Sequence, residues 1–359
     1  MTDPSTSSRT AGTVLVAGVG GVIGRHAAIE HARRGHRVVG VSRRRPSDLP
    51  EGVEHRAVDL SSPGALDGVD DVTHLVFAAY VEAGPPAALV APNVALLEGA
   101  LDLAQRHGRL QHVTLYQGGK AYGAHLGAFR TPAKESDPRL LAPNFYYAQE
   151  DVLRGRGERD GFAVTMLRPE AVIGYATGNP MNLLMAVAAY GTVCAATGTP
   201  LAFPGTREAY GALYQSTDAE LLGRATVWAG ESPAADGEVF NVTNGDQYRW
   251  ENLWPRLADA FGVDVGHPLR TPLVDAMADK EPVWRRLVDR YGLRPTPWDD
   301  LVQWPFADFI WSSGFDNVSS TVKLRQAGFG ECLDSEDRYV ELLERLRAER
   351  VLPPRGARA

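Results

Sequence analysis

Short apolar runs alternate with stretches of helical spacing through the first half of the chain. The runs predict strands over 14–17, 37–42, 55–59, 72–79, 111–116 and 163–167. Helical spacing between them predicts helices over 23–34, 93–106 and 147–159. Alternation of this kind is typical of an α/β protein, with a doubly wound parallel sheet of the Rossmann type.

The pattern loosens after Arg168-Pro169, where we expect a smaller, mostly helical C-terminal lobe that binds substrate. Further elements are predicted as helices over 182–196, 250–261 and 341–350, and as a strand over 239–243. Trp304, Phe306, Phe309 and Trp311 are expected mainly in the core, with one or two facing an apolar substrate. The domains are therefore a disordered tail (1–11), a Rossmann domain (12–178, with a return near 214–262) and the lobe (179–213 and 263–359).

Composition excludes several classes of function. The 359 residues carry a net charge of −7, with 44% hydrophobic and 23% charged residues, which suits a globular protein and disfavours nucleic-acid partners. We recognise neither a signal peptide nor a run long enough to span a bilayer, so we expect a cytoplasmic protein without a membrane partner. Two isolated cysteines and scattered histidines predict neither a disulfide framework nor a metal site.

A glycine-rich segment follows the first predicted strand and opens the first helix. There, glycines permit a tight turn, a close approach of a pyrophosphate to the backbone, and close packing of helix on strand. A glycine motif alone is weak, but its strand–turn–helix position predicts a dinucleotide site. The residues expected to form it are Gly18, Gly20, Gly21, Val22, Ile23 and Gly24.

The end of the second strand distinguishes NADP(H) from NAD(H). NAD sites place an acid there for the ribose 2′-hydroxyl, whereas this chain has Ser42 followed by Arg43 and Arg44. Guanidinium groups suit a 2′-phosphate, so NADP(H) is the predicted cofactor; a solvated basic loop is the other interpretation. Further cofactor contacts are expected at or after other strands, at Asp59, Leu60, Ala78, Ala79, Gln117, Arg168, Pro169 and Val172.

The pair usual in short-chain reductases, a Tyr with a Lys four residues later, is missing after the fifth strand. Glu150 and Asp151 stand at that spacing from Tyr146 and Tyr147. Lys120 is one of only four lysines and follows the fifth strand, at the sheet edge where ligands bind. A Lys near a Tyr hydroxyl stabilises a phenolate or another oxyanion, although an exposed loop lysine is the alternative.

Several motifs resemble the progesterone 5β-reductase/iridoid synthase-like family of atypical extended short-chain dehydrogenases/reductases. They are GGKAYG (118–123), NFYYAQED (144–151), LRPEAVIG (167–174), PMNL (180–183), FNVTNGD (240–246), WENLWP (250–255) and VKLRQAGFG (322–330). The resemblance implies that the catalytic Lys has moved to this loop, at Lys120, and that Tyr146 rather than Tyr147 is the catalytic tyrosine. One departure is Ala121, where relatives often have His, which places the substrate in question more than the pair.

The resemblance also implies reduction of an activated alkene by NADPH. Hydride would reach the β-carbon of an enone or enal, and Tyr146, polarised by Lys120, would stabilise the enolate. The same residues suit an NADP-dependent alcohol dehydrogenase, ketoreductase or sugar-modifying enzyme, and a non-catalytic NADP(H) sensor is a third interpretation. The expected partners are a small hydrophobic carbonyl compound and, as a default, a second copy in a homodimer.

Overall fold

A seven-stranded parallel sheet forms the centre of the protein. The computed structural model describes residues 12–61, 69–82, 84–176 and 181–359. Its strands are β1 (Thr13–Ala17), β2 (Arg37–Ser42), β3 (Val53–Ala57), β4 (Val72–Phe77), β5 (His112–Tyr116), β6 (Ala163–Pro169), β7 (Val172–Ile173), β8 (Leu213–Tyr214), β9 (Thr217–Asp218), β10 (Val239–Val242) and β11 (Tyr248–Arg249). Seven of these strands form the central sheet, in the order β10-β6-β5-β4-β1-β2-β3, and this order confirms the predicted doubly wound fold.

Thirteen α-helices are present in the described part of the chain. They are α1 (Val22–Arg33), α2 (Pro86–Gln105), α3 (Phe145–Asp160), α4 (Leu183–Thr197), α5 (Arg207–Gly211), α6 (Ala219–Glu231), α7 (Trp250–Phe261), α8 (Leu273–Ala276), α9 (Glu281–Tyr291), α10 (Trp298–Leu301), α11 (Trp304–Ser312), α12 (Val322–Gln326) and α13 (Ser335–Ala348). Two 3₁₀ turns span Gly119–Tyr122 and Pro233–Ala235.

The sheet is covered on both faces, which explains the continuous apolar character of its strands. One face packs against α2 and α3, with Leu97, Leu101 and Leu153 in its core. The other packs against α1 and α6, with Ala27 and Leu222 among the buried residues. Helix α6 was not predicted, although Asp218 caps it by accepting from two backbone amides and its small residues fit it against α1.

The C-terminal lobe has a separate, aromatic-rich core. Trp250, Trp254 and Trp311 are fully buried there with α4, α11 and α13. Helix α7 packs in the lobe, because its apolar stripe faces α4 and α13, so the predicted Rossmann return over 214–262 is wrong at its C-terminal end. Within the same range, β10 does join the sheet and α6 packs on α1. Conversely, α12 lies against β10 of the Rossmann sheet. The predicted tail 1–11 and the start of the lobe at 179–180, with Pro180 of the PMNL motif, fall outside the described residues.

The four aromatic residues predicted near residue 310 differ in exposure. Trp311 is buried and Trp304 and Phe306 pack against the lobe core, as expected, whereas Phe309 is 45% exposed.

The prediction that no segment is long enough to span a bilayer needs correction, because α2 is long and apolar enough to cross a membrane by length and composition. It contacts β4 and α3 and buries Leu97 and Leu101 in the core, so here it is a covering helix of the sheet.

Candidate active site

The glycine turn between β1 and α1 leaves no room for a side chain at Gly18 or Gly24 and little room at Gly20. Gly18 has φ +82°, and a Cβ there would lie 2.7 Å from the carbonyl oxygen of Ala78. A Cβ on Gly24 would lie 2.3 Å from the Gly18 carbonyl, and one on Gly20 would meet Pro46 at 3.3 Å. The turn is thereby held tightly between the end of β4 and the first turn of α1.

The N-terminus of α1 is open to an anion. Gly21 is the N-cap, and neither a side-chain cap nor an acidic residue is present in the first turn. The first amides of the helix, including those of Val22 and Ile23, therefore need an acceptor from outside the helix. A phosphate group fits this position by charge and by hydrogen bonding.

The loop after β2 presents positive charge to solvent. Arg43 and Arg44 are exposed, and neither forms an ion pair within the described part of the chain. The Ser42 hydroxyl donates to the Arg44 carbonyl at 2.7 Å, which fixes the start of the loop. Just after the neighbouring strand β3, Asp59 accepts from the Ser61 hydroxyl and from the Ser61 amide, and this bonding together with the charge of Arg43 lowers the pKa of Asp59.

Other predicted contacts divide into two groups. Ala78, Pro169 and Val172 lie at the carboxyl edge of the sheet, where Val172 packs against the start of α1 and the Pro169 carbonyl faces Gly118. Ala79 borders Gly18 through its backbone amide. Leu60 is buried instead, with its carbonyl pressed against Gly99 of α2, so its side chain is not at the surface of this edge.

Tyr146 lies in the first turn of α3, directly at the carboxyl edge of β5. The Asn144 side chain caps the helix by accepting from the Tyr146 amide at 3.0 Å. A Cβ on Gly118 would be 3.5 Å from the Tyr146 hydroxyl, which has no hydrogen-bond partner among the described residues. Burial and the nearby Glu170 raise the pKa of Tyr146, and Arg168 opposes them. The hydroxyl is thus a free donor that stays protonated.

Lys120 lies in the 3₁₀ turn after β5, and Asn144 connects it to α3. The Asn144 side chain donates to the Lys120 carbonyl at 2.8 Å while capping the helix of Tyr146. The Lys120 ammonium lies 5.8 Å from the centre of the Tyr80 ring, and no hydrogen bond joins it to the Tyr146 hydroxyl. The structure therefore brings the two predicted catalytic residues to one edge without direct contact between their polar ends.

Gln117 and Arg168 support the site from below. The Arg168 guanidinium is buried and donates to Gln117 at 2.6 Å, to Tyr122 at 3.1 Å and to Glu150 at 3.4 Å. Gln117 in turn donates to the Tyr146 carbonyl at 3.1 Å. Both side chains are thus occupied by protein groups that hold α3 against β5 and β6, and their predicted contact with the cofactor stays a prediction.

Tyr147 differs from Tyr146 in its surroundings. Its buried hydroxyl donates to the Ala121 carbonyl at 2.7 Å and accepts from the Leu140 amide at 3.1 Å. Tyr147 therefore holds the loop in place, while Tyr146 keeps its hydroxyl available. The contrast follows from adjacent positions on a helix, which point about 100° apart.

The structure adds residues that sequence reasoning missed. Tyr80 follows β4 and packs against Phe145, which in turn contacts Tyr146 with ring centres 4.3 Å apart. The position of Tyr80 shortly after β4, at the carboxyl edge, was the available signal. Glu170, which is part of the LRPEAVIG motif, lies buried beside Gly119. Among the described residues, no group of three His, Cys, Asp or Glu is arranged to hold a metal ion.

An open helix N-terminus at a glycine turn, with a Lys in the turn after β5 and a Tyr in the first turn of α3, defines an oxidoreductase of the short-chain dehydrogenase/reductase type. The chain belongs to the PRISE family: a family model described as a PRISE-like Rossmann-fold domain matches residues 59–353. This confirms the resemblance found in the sequence motifs.

Curated relatives agree over most of the chain. (S)-8-oxocitronellyl enol synthase CYC2 of Camptotheca acuminata is 31% identical, covering 94% of this chain and 93% of the relative. 3-oxo-Delta(4,5)-steroid 5-beta-reductase of Arabidopsis thaliana is 28% identical, covering 98% and 95%. Both are named enzymes, in keeping with the oxidoreductase class.

Solved structures with the same fold are more distant in sequence. The terminal R domain of the myxalamid PKS-NRPS pathway has a TM-score of 0.65 at 19% identity, covering 97% of this chain and 93% of that one. UDP-glucose 4-epimerase of Thermotoga maritima has a TM-score of 0.64 at 17% identity, covering 94% and 99%. These similarities establish the fold and carry no information on substrate.

Proposed function

We propose that this protein is an NADPH-dependent reductase of activated C=C bonds in enones or enals. The observation that carries the proposal is the free Tyr146 hydroxyl, which faces the carboxyl edge beside Gly118 without a protein partner in the described chain. The names of two relatives, an enol synthase and a 3-oxo-Δ4,5-steroid reductase, support a conjugated carbonyl compound as substrate.

The residues support a simple division of roles. When bound, the nicotinamide supplies hydride to the β-carbon of the substrate. Tyr146 donates a hydrogen bond to the carbonyl oxygen and stabilises the negative charge that develops there. Lys120 provides a positive charge in the adjoining loop, and no carboxylate of the described chain pairs with it. Tyr80 and Phe145 give the surroundings an apolar character that suits a hydrophobic substrate.

The reaction is tested with Tyr146→Phe. NADPH oxidation is followed with a cyclic enone and with the matched saturated ketone, and products are identified by mass and chiral chromatography. We expect the wild type to reduce the enone to the saturated ketone, and Tyr146→Phe to lose about a hundred- to a thousandfold in kcat. Tyr147→Phe is the matched control, and we expect it to keep kcat within about tenfold of the wild type, because the Tyr147 hydroxyl contacts protein only.

Other products would replace the proposal. An allylic alcohol, or turnover of the saturated ketone alone, would establish carbonyl reduction by the same residues. Tight NADPH binding without turnover of either compound would favour a sensor. A homodimer and a cytoplasmic location stay predictions that size measurement and localisation can test.

The cofactor preference is tested at the loop after β2. The glycine turn and open helix end fit the pyrophosphate. The guanidinium groups of Arg43 and Arg44, which form no ion pair with the residues that the structure describes, fit a 2′-phosphate. Replacing both arginines by Ala should weaken NADPH binding about ten- to a hundredfold and leave NADH binding unchanged. Calorimetric titration with both cofactors measures this, and equal losses for the two would contradict a 2′-phosphate contact.

A further inference from the structure

Glu170 is a buried carboxylate with neutral partners. It directly follows β6, and the residue is only 4% exposed. Its oxygens accept from the Ser319 hydroxyl at 3.1 Å and the Asn317 amide at 3.4 Å. No Arg or Lys forms an ion pair with it in the described chain, in contrast to Glu150, which pairs with Arg168 and Arg154.

The carboxylate lies next to the catalytic loop. A Cβ on Gly119 would be 3.0 Å from Glu170 Oε2, and a Cβ on the preceding Gly118 would be 3.5 Å from the Tyr146 hydroxyl. Successive glycines therefore separate the carboxylate from the phenol. A Cβ on Gly119 would crowd the carboxylate, whereas one on Gly118 would make an ordinary van der Waals contact with the Tyr146 hydroxyl. The charge of Glu170 accordingly acts on Tyr146.

Few other charges face this position. Tyr214 lies on β8 and feels the Glu170 charge, and its hydroxyl lacks a partner among the described residues. Arg168 on β6 acts on Tyr146 in the opposite direction. Lys120 is on the same 3₁₀ turn as Gly119, with its ammonium over the Tyr80 ring. The segment 317–319 contributes only the neutral Asn317 and Ser319.

We propose that Glu170 is a positioning residue that acts through Tyr146, so that the enzyme turns over faster when the Glu170 carboxyl is protonated. A negative charge beside Tyr146 makes its hydroxyl a poorer donor and repels the enolate oxygen that it must stabilise. A neutral carboxyl removes this repulsion and keeps the same hydrogen-bonded position. The inference rests on the proposed reductase function for its kinetic effect.

The pH at which the change occurs follows from the surroundings. Burial raises the pKa of Glu170 to about 7, and the hydrogen bonds from Ser319 and Asn317 only partly oppose this. The carboxyl is thus protonated at mildly acid pH and ionised at alkaline pH. Turnover should fall as the pH rises through about 7.

Glu170→Gln tests the inference, because Gln is close in shape and stays neutral. The Ser319 hydroxyl can still donate to the new amide oxygen. Asn317 Oδ1, which has no hydrogen-bond partner among the described residues, can accept from the new NH₂ group after the Asn317 amide turns over. We expect kcat of the wild type to fall about tenfold between about pH 6 and about pH 9, and kcat of Glu170→Gln to stay level. Parallel profiles for the two proteins would overturn the inference.

Glu150→Gln is the matched variant. Burial tends to raise the pKa of Glu150, but hydrogen bonds from Gln117 and Arg154 outweigh it and the pKa is lowered. Whatever this variant does to the absolute rate, the decline near pH 7 should remain. If the decline near pH 7 disappeared in Glu150→Gln, the effect would belong to Glu150 and the inference for Glu170 would be wrong.

A measurement without substrate separates this inference from the proposed reaction. Tyrosine labelled with carbon-13 at Cζ reports the charge near the Tyr146 ring, and the signal missing in Tyr146→Phe identifies it. We expect this signal to titrate with a midpoint near 7 in the wild type and to stay constant in Glu170→Gln. Titration without enone turnover would overturn the proposed function alone, whereas a constant signal in the wild type would overturn the inference.

Discussion

At the scale of the residue, Gly18 and Gly52 differ in how they would accommodate one added methyl group. Both have positive φ, +82° and +77°, so an L side chain strains the backbone at either position. They differ in space: a Cβ on Gly18 would collide with the Ala78 carbonyl, whereas nothing lies within 4 Å of a Cβ on Gly52. The pair therefore separates backbone strain from crowding at the cofactor turn.

Gly18→Ala should lower the free energy of unfolding by about 3 kcal/mol or more and abolish measurable NADPH binding, because the turn must open. Gly52→Ala should lower it by only about 1 kcal/mol, with NADPH binding unchanged. Urea unfolding and calorimetric titration measure both quantities. Equal effects in the two variants would show that the contact with Ala78 is relieved without moving the turn.

At the scale of the element, one N-cap residue joins two catalytic segments. Asn144 begins α3 and also holds the carbonyl of Lys120, so the first turn of the helix and the 3₁₀ turn move together. Asp334 makes the comparable cap of α13, where it accepts from the Asp337 amide at 2.9 Å in the C-terminal lobe. The two caps are alike in local chemistry and differ in what else they hold.

Asn144→Ala and Asp334→Ala should each lower the free energy of unfolding by about 1 kcal/mol, the usual loss for an N-cap. Only Asn144→Ala should also lower kcat, by about tenfold, because Lys120 and Tyr146 lose their common support. Thermal unfolding and the enone assay give both values. A kcat unchanged in Asn144→Ala would mean that the loop is fixed by Tyr147 alone.

Over the whole molecule, the two edges of the sheet have opposite characters. The carboxyl edge carries the candidate site. The amino edge gathers His31 of α1, His36 of the turn before β2, His74 of β4 and His112 of β5, with neighbouring rings 5.3 to 6.1 Å apart. Burial, and then the neighbouring histidines, lower the pKa of His31, and burial lowers that of His112 to about 3. The folded protein therefore keeps the rings of His31 and His112 neutral.

The unfolded chain binds protons at these histidines below about pH 6.5, whereas the folded chain does not. The free energy of unfolding therefore has its full value above this pH. Below it, the free energy of unfolding decreases as the pH falls, by about 1.4 kcal/mol per pH unit for each such histidine. His31→Leu should reduce this slope, and it also removes two ring nitrogens without partners among the described residues. Urea unfolding between about pH 5 and about pH 7.5 tests this, and curves of equal slope would contradict it.

Much of the architecture could be predicted from local pattern. Strands β1, β2, β5 and β6 and helices α1, α3, α4 and α7 lie close to their predicted positions, because apolar periodicity reflects which face is buried. Helix α2 begins at Pro86 rather than 93, because the helix continues through Pro92, an interior residue that lacks a backbone donor and usually ends a helix. Pro86 lies in the first turn, where a proline is tolerated. Helix α6 was missed because its small residues pack on α1, a contact distant in sequence.

The sequence by itself determined the glycine turn, the arginines after β2 and the presence of Lys120 and a tyrosine pair, since each depends on residue type and a nearby strand end. Only the tertiary structure decided that the Tyr147 hydroxyl donates to the Ala121 carbonyl, whereas the Tyr146 hydroxyl has no partner among the described residues. It likewise decided that the Arg168 guanidinium donates to Gln117. It also decided that Glu170 lies against Gly119. These outcomes depend on side chains from separate segments meeting in space, and spacing along one strand or helix does not encode such meetings.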